Sequence, residues 1–235
     1  MNNPNKTPLV SVIISCFNSS KTLEDSIESI LNQSYSNYEV LIMDDGSNDD
    51  TAAILKKIDD NRIRLFTNKE NIGLTKSLNQ LITKSNGKYI ARHDADDISL
   101  QTRLEEQVLI LENTKYDACT SRALRKDSNK NIPGISYIFP YKFIFKFKNP
   151  FIHGTLMISK KLLMDQGVYD ERFKYSQDYK LFSNLIKNKV PIYKIKKPLY
   201  ILNMNDNISS KHLAEQTYFA NCVKKNTIPK DYPIF

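Results

Sequence analysis

In the first half of the chain, apolar runs of strand length alternate with segments of helical spacing, and this rhythm limits the fold more than any other feature. Val10-Ser11-Val12-Ile13-Ile14-Ser15 reads as a buried strand. Leu23, Ile27, Ile30 and Leu31 follow at helical spacing, behind Ser19, Ser20 and Thr22 as cap candidates. The unit recurs. Tyr38 to Met43 predicts a strand, Thr51 to Ile58 a helix and Arg62 to Phe66 a strand. Leu74, Leu78, Leu81 and Ile82 then form one face of a helix, and Tyr89 to Arg92 a fourth strand. Strands alternating with helices predict an α/β fold with a mostly parallel sheet covered on both faces.

The rhythm breaks after Asp117 to Thr120. Ser121 to Gly134 reads as a polar, turn-rich stretch, and Tyr137 to Phe151 is aromatic and basic. A strand at Thr155 to Ser159 follows, then a helix from about Asp178 carrying Leu181, Phe182, Leu185 and Ile186. Short strands at Ile192 to Ile195 and Leu199 to Leu202, and a helical tail from His212, complete the reading. No repeat, low-complexity tract or linker-like shift in composition appears. At 235 residues the chain fits one large α/β domain or a domain with an appendage.

With 40% hydrophobic and 26% charged residues, the composition is that of a soluble globular protein. The start, MNNPNK, lacks the basic and apolar regions of a signal peptide, and Leu9 to Phe17 is too short to cross a bilayer, which predicts a cytoplasmic location. Cys16, Cys119 and Cys222 stand far apart in no metal-like spacing and are expected as buried thiols. The +8 formal charge is uneven, with 13 basic and 18 acidic side chains through Thr120, and 21 and 8 after it. A basic half suits nucleic acid, an anionic membrane surface or a phosphorylated substrate, and equally a Lys-rich compositional habit.

Two acidic clusters fall where ligands bind in parallel sheets, beyond the carboxyl ends of the strands. Asp44 and Asp45 follow the second strand; Asp94, Asp96 and Asp97 follow the fourth, in YIARHDADD. Neighbouring carboxylates raise each other's pKa and cost stability unless a cation or hydrogen-bond donors compensate. The bland alternatives are turns at Asp-Asp-Gly-Ser and acidic residues leading a helix from Ile98 to Leu111. A doubly wound sheet suggests nucleotides, yet the six glycines form no G-x-G-x-x-G or G-x-x-x-x-G-K cradle. A D-x-D after a strand handles phosphate differently, by giving one or two carboxylate oxygens to Mg²⁺ or Mn²⁺.

In order along the chain stand VSVIISCFN, SILNQSY, EVLIMDDGSNDDT, NIGLTKSLN, GKYIARHDADDIS and QDYKLF. Together they resemble the family 2 glycosyltransferases of the GT-A fold, from about Leu9 to Tyr200. The resemblance implies a single catalytic domain over 1–235, with a nucleotide-sugar half at 8–120, an acceptor side at 121–205 and a C-terminal tail at 206–235. It implies inverting transfer from a nucleoside diphosphate sugar, a UDP-sugar by preference, to a hydroxyl of a glycan or lipid-linked acceptor in surface polysaccharide synthesis. A divalent metal, Mn²⁺ or Mg²⁺, would assist. By the same resemblance Ser15, Phe17 and Asn18 would line the base, Asp45 would read the uracil edge, and Asp94 would sit near the ribose. Asp96 would hold the metal bridging the diphosphate, with Asp97 close behind. Asp178, in SQDYKL, would be the base that takes the acceptor proton opposite the leaving group, with no covalent sugar intermediate. Residue type alone also reads it as a helix N-cap.

The chain departs from the family pattern in places. Ser15 and Phe17 stand where Pro and Tyr are common, Gln177 replaces the usual Glu before the base, and Gln101 replaces a Pro. His93 alternates away from Asp94 and reads as packing, whereas His153 opens a strand and borders the acceptor side. His212 lies where some related enzymes bring a C-terminal loop over the diphosphate, and would add a ligand to metal or phosphate. Tyr141 to Lys148 interleaves aromatics with lysines, a period that describes either an edge strand or a segment resting peripherally on an anionic membrane.

Other functions compete. A sugar nucleotidyltransferase needs a glycine-rich loop after its first strand, and Phe17 to Lys21 has none. A non-catalytic nucleotide-sugar-binding subunit gives no reason for Asp96 and Asp178. Nucleic-acid binding would use the basic half, but the acidic crevice repels a phosphate backbone, so no nucleic-acid partner is expected.

Overall fold

The computed structural model describes residues 7–204 and 212–230. In chain order its elements begin with β1 (Val10–Cys16), α1 (Leu23–Leu31), β2 (Tyr38–Asp44), α2 (Thr51–Lys56), β3 (Ile63–Thr67), α3 (Leu74–Lys84) and β4 (Tyr89–Arg92). Then come β5 (Ile98–Ser99), α4 (Arg103–Asn113), β6 (Ala118–Arg125), β7 (Asn131–Ile132) and α5 (Tyr141–Ile144). The last are β8 (Met157–Ser159), α6 (Lys160–Asp165), α7 (Gln177–Lys187), β9 (Ile192–Leu202) and α8 (Leu213–Lys225). Among the described residues one sheet runs β3-β2-β1-β4-β8-β6-β9-β5, with β7 added to β6.

Period-two alternation decides which helix covers which face. Val10, Val12 and Ile14 of β1 point to the side of Leu23, Ile27 and Ile30 from α1 and Leu104, Val108 and Leu111 from α4. Ile13, with Leu41 and Met43 of β2, points to the side of Leu78, Leu81 and Ile82 from α3. Both faces are therefore dry, and each fully buried Leu or Ile contributes roughly 1.5–3 kcal/mol. A smaller cluster of Phe173, Tyr179, Phe219, Cys222 and Val223 fixes α8 near the head of α7.

The first four strands along β3-β2-β1-β4 are parallel, as expected. Beyond them the sheet is mixed, since β8 runs antiparallel to β4 and β6, and β5 to β9. From β1 the chain moves out to β2 and β3 and then returns to the other side of β1 as β4, so the strand order reverses there. β4 ends opposite Ile13, and Ile14 to Cys16 project beyond it. That is where an open α/β sheet forms its crevice.

Several expected boundaries moved. Ile98 does not begin a helix: Ile98 and Ser99 pair with Ile201 and Tyr200, and α4 starts only at Arg103. Ser121 to Gly134 is not all loop, because β6 continues to Arg125 and hairpins onto β7. The two short strands after Ile192 are one strand, paired to β6 with bulged register. The strand expected from Thr155 begins at Met157, after a 3-10 turn at His153–Thr155. Tyr141 to Lys148 is no edge strand: it opens with α5, and its aromatics segregate at helical spacing. Tyr141 and Phe145 pack inward, while Phe143 and Phe147 face out.

Candidate active site

The loop after β4 is held from several directions before its carboxylates are considered. Helix α1 grips its backbone, with Thr22 Oγ1 donating to Ala95 O at 3.0 Å and Ser26 Oγ to Asp94 O at 3.0 Å. Thr22 does occupy the N-cap position, but its hydroxyl serves this loop instead of the helix. From the sheet, the Asp94 N–H donates to the Tyr200 hydroxyl at 3.0 Å. Gly154 leaves the necessary room, since a Cβ there would lie 2.6 Å from that hydroxyl and 2.8 Å from Asp94 Oδ2.

Under the loop lies a buried polar network. Arg103 Nη2 donates to Arg92 O at 2.6 Å, its Nη1 to Ser99 Oγ at 2.8 Å, and its guanidinium covers the Tyr200 ring at 4.9 Å. His93 is packing, as its alternation suggested: it is fully buried between Ser26 and Ser99. Burial, Arg103 and Arg92 push its pKa well down, so the ring is neutral. Because Ser26 Oγ donates to Asp94 O, it accepts from His93 Nε2–H, leaving Nδ1 to accept.

Asp94 pairs with Arg92, whose side chain is almost wholly buried and whose Nε finds no acceptor among the described residues. One guanidinium does not neutralise three carboxylates. Burial and the Asp94 charge raise Asp96 to about 6, against its backbone N–H and Arg92. Burial, then Asp94 and Asp96, raise Asp97 to about 8, although Asn203 N–H and Tyr200 favour its charged form. Asp97 is buried and takes the Asn203 N–H at 2.8 Å, which ties the end of β9 to the loop.

Asp178 lies at the head of α7, near enough to Asp94 to feel its charge. Ser176, in left-handed conformation at φ 53°, is the N-cap residue, and its hydroxyl donates to Gln216 of α8. Asp178 is thus the second helical residue, not the cap. Its Oδ2 accepts from Asn149 Nδ2 at 2.7 Å. Protein surrounds this carboxyl while part of its surface stays open, and burial, with the Asp94 charge added, raises its pKa. Nearby, His153 Nε2 and the Tyr169 hydroxyl lie 2.7 Å apart; burial and Arg92 push His153 down to about 3.

The ends of β1 and β2 carry the remaining candidates. Ser15 is half-buried near the end of β1, and Phe17 just after it is 42% exposed. Asn18 turns the chain at φ 51°, donating from its N–H to Ser47 Oγ at 3.0 Å and accepting from Asn48 N–H at 2.8 Å. Asp45 is buried and accepts from Asn68 Nδ2, Ile72 N–H and Gly73 N–H at 2.8 to 3.1 Å. A carboxylate has about four acceptor positions, so one is left. Asp44 closes the Asp-Asp-Gly-Ser turn by accepting from Ser47 N–H at 3.0 Å.

His212 precedes α8 with its ring 5.1 Å from Tyr175 and Nδ1 3.3 Å from Glu215 Oε1. Residues 205–211 of the loop before it lie outside the described residues. Among the described residues no group of three or more His, Cys, Asp and Glu side chains is arranged to hold a metal by itself. That donor set suits a cation carried by one or two carboxylates and completed by substrate phosphates and water. The raised pKa values of Asp96 and Asp97 mark an anionic cluster that such a cation would relieve.

Residues 11–173 match the family model for glycosyl transferase family 2. The chain belongs to that family. EpsE of Bacillus subtilis (strain 168) is 39% identical to this family 2 chain over 159 residues, 66% of the chain and 57% of EpsE. The O-antigen biosynthesis glycosyltransferase WbnJ of Escherichia coli is 35% identical over 192 residues, 78% of the chain and 73% of WbnJ. WfgD of Escherichia coli, a UDP-Glc:α-D-GlcNAc-diphosphoundecaprenol β-1,3-glucosyltransferase, is 29% identical over 184 residues, 77% of the chain and 70% of WfgD. Against relatives such as EpsE the chain spans less than two thirds of their length.

Solved structures share the GT-A-like fold. S. aureus TarS 1-349 in complex with UDP-GlcNAc superposes with a TM-score of 0.76 at 18% identity, over 94% of this chain and 68% of that one. Mannosyltransferase PcManGT from Pyrobaculum calidifontis, in complex with GDP-Man and Mn²⁺, gives 0.71 at 17% identity, over 97% and 67%.

Proposed function

We propose that this chain is an inverting glycosyltransferase that moves a sugar from a nucleoside diphosphate sugar, a UDP-sugar by preference, to a hydroxyl of a glycan or lipid-linked acceptor in surface polysaccharide synthesis. One observation carries the reading: Asp94, Asp96 and Asp97 gather after β4 with the single buried Arg92 paired to one of them, and Asp178 at the head of α7 lies near enough to Asp94 to feel its charge, which supports a shared site. The names of WbnJ and WfgD support the polysaccharide setting and the lipid-linked acceptor. The UDP-GlcNAc complex of TarS supports the donor class.

In this reading residues 8–120 form the donor half, 121–205 the acceptor side and 206–235 a tail. Phe17 stacks on the base beside Ser15 and Asn18, and Asp45 uses its remaining acceptor position for the base edge. Asp94, held by Arg92, faces the ribose. Asp96 would hold Mn²⁺ or Mg²⁺, with Asp97 behind it and His212 as a further ligand from the start of α8. When bound, the cation offsets the negative charge that grows on the leaving diphosphate. Asp178 accepts the acceptor hydroxyl's proton as that oxygen bonds to the anomeric carbon and the bond to the diphosphate oxygen breaks, a single displacement with inversion.

The test is thermal shift against UDP, GDP, CMP and UDP-sugars with and without Mn²⁺, followed by a transfer assay on the stabilising donor. Metal-dependent stabilisation by a nucleoside diphosphate is expected and should vanish in Asp96→Asn. Stabilisation by none of these nucleotides would refute the assignment.

A further inference from the structure

We propose that the surface from Ile135 to Lys148 is a docking face for an anionic lipid bilayer. Five large apolar side chains are exposed within this segment: Ile135 and Ile138 at 78% each, Phe139 at 51%, Phe143 at 55% and Phe147 at 63%. Single exposed apolar residues are ordinary, but a dense patch marks an interaction surface.

The patch is held in place from below. Tyr141 packs on Phe151 with ring centroids 5.3 Å apart, and Phe145 on Tyr179 at 4.6 Å, while the Tyr179 hydroxyl donates to Phe145 O at 2.8 Å. Lys194 Nζ donates to Tyr137 O at 2.6 Å and Phe139 O at 2.7 Å, fastening the preceding turn. With the inner aromatics fixed, Phe143 and Phe147 stand outward one helical turn apart, their centroids separated by 5.5 Å.

Charge selects the occupant. No Asp or Glu occurs between Asp127 and Asp165, whereas Lys130, Lys142, Lys146, Lys148, Lys160 and Lys161 do. Lys142, Lys146 and Lys148 are exposed among the outward phenylalanines. Aromatic side chains that enter the headgroup boundary, flanked by lysines and free of acids, match an anionic bilayer interface. Position gives the surface a use: the residue after Lys148 is Asn149, whose amide holds Asp178. Resting on the transferase reading above, such a face would bring the cleft down to a membrane-borne acceptor.

The test is flotation of the full chain with vesicles of phosphatidylcholine alone and of phosphatidylcholine mixed with phosphatidylglycerol, comparing wild type, F143S/F147S and K142Q/K146Q/K148Q. Wild type is expected to float with the anionic vesicles only, and less at high salt. Both variants should bind roughly tenfold more weakly while keeping the wild-type unfolding midpoint. The proposal is overturned by three results: no flotation of wild type, undiminished flotation of F143S/F147S, or a wild-type dimer in solution that this variant converts to monomer. Flotation without any sugar transfer would contradict the transferase reading and leave the docking face standing. Transfer to a soluble acceptor without flotation would do the reverse.

Discussion

The side-chain amide of Asn149 donates to Asp178 Oδ2 at 2.7 Å, joining the aromatic, basic segment to the head of α7. Burial raises the pKa of Asp178, this hydrogen bond opposes the rise, and Asp94 adds to it. A base works deprotonated, so transfer should fall as pH drops through that raised value. Asn149→Ala removes a donor to the charged form, and the acid limb of the kcat profile should move to higher pH, with donor affinity unchanged. A pH–rate comparison of the two proteins checks this.

Arg92 is the cation of the D-x-D loop, and it is almost fully buried. Arg92→Met should destabilise the fold by roughly 3 kcal/mol in urea unfolding, because it strands Asp94 beside Asp96 and Asp97. Arg92→Lys should recover part of the loss, a point charge replacing the fork that reaches Asp94 and Ile13 O.

Gly154 approaches the loop too closely for any side chain. Gly154→Ala places a methyl against the buried Tyr200 hydroxyl and Asp94 Oδ2, and Tyr200 has nowhere to move. A loss of about 1–3 kcal/mol in stability is expected. Calorimetry should also show weaker donor binding, since Asp94 is displaced.

The parts of this fold written in local pattern were readable. β1 and β2 are buried on both faces, so their apolar runs stand out, and α1 and α3 keep a clean helical stripe. The two acidic clusters were legible because they follow strands. What escaped depends on distant partners. Ile98–Ser99 became a strand only because β9, a hundred residues later, lies beside it. The alternation of Phe143, Phe145 and Phe147 fits two periods, and packing of Phe145 on Tyr179 decided for the helix. Likewise Arg92, Arg103, His93 and Tyr200 form one network, whose only trace in the sequence is an Arg two residues before Asp94.

Asp97 and Asp96 also set the response of the metal-free protein to pH. Their folded pKa values, about 8 and about 6, lie above the unfolded carboxylate value, so the folded state binds more protons between these limits. The contribution of these two carboxyls is therefore largest near pH 4 and is lost as pH rises toward 8, with a slope of up to about 1.4 kcal/mol per pH unit for each proton, while the buried neutral His93 and His153 oppose it below about pH 6.5. Urea midpoints between about pH 6.5 and 8, where the histidines no longer oppose it, should show the fall, and Mn²⁺ with a nucleoside diphosphate should reduce it.

The most direct measurement is single-turnover sugar transfer by Asp178→Asn beside donor binding by the same protein. Binding should stay within about twofold of wild type while the transfer rate drops roughly 10²- to 10⁴-fold, the range lost with a general base. Transfer at the wild-type rate would contradict the account.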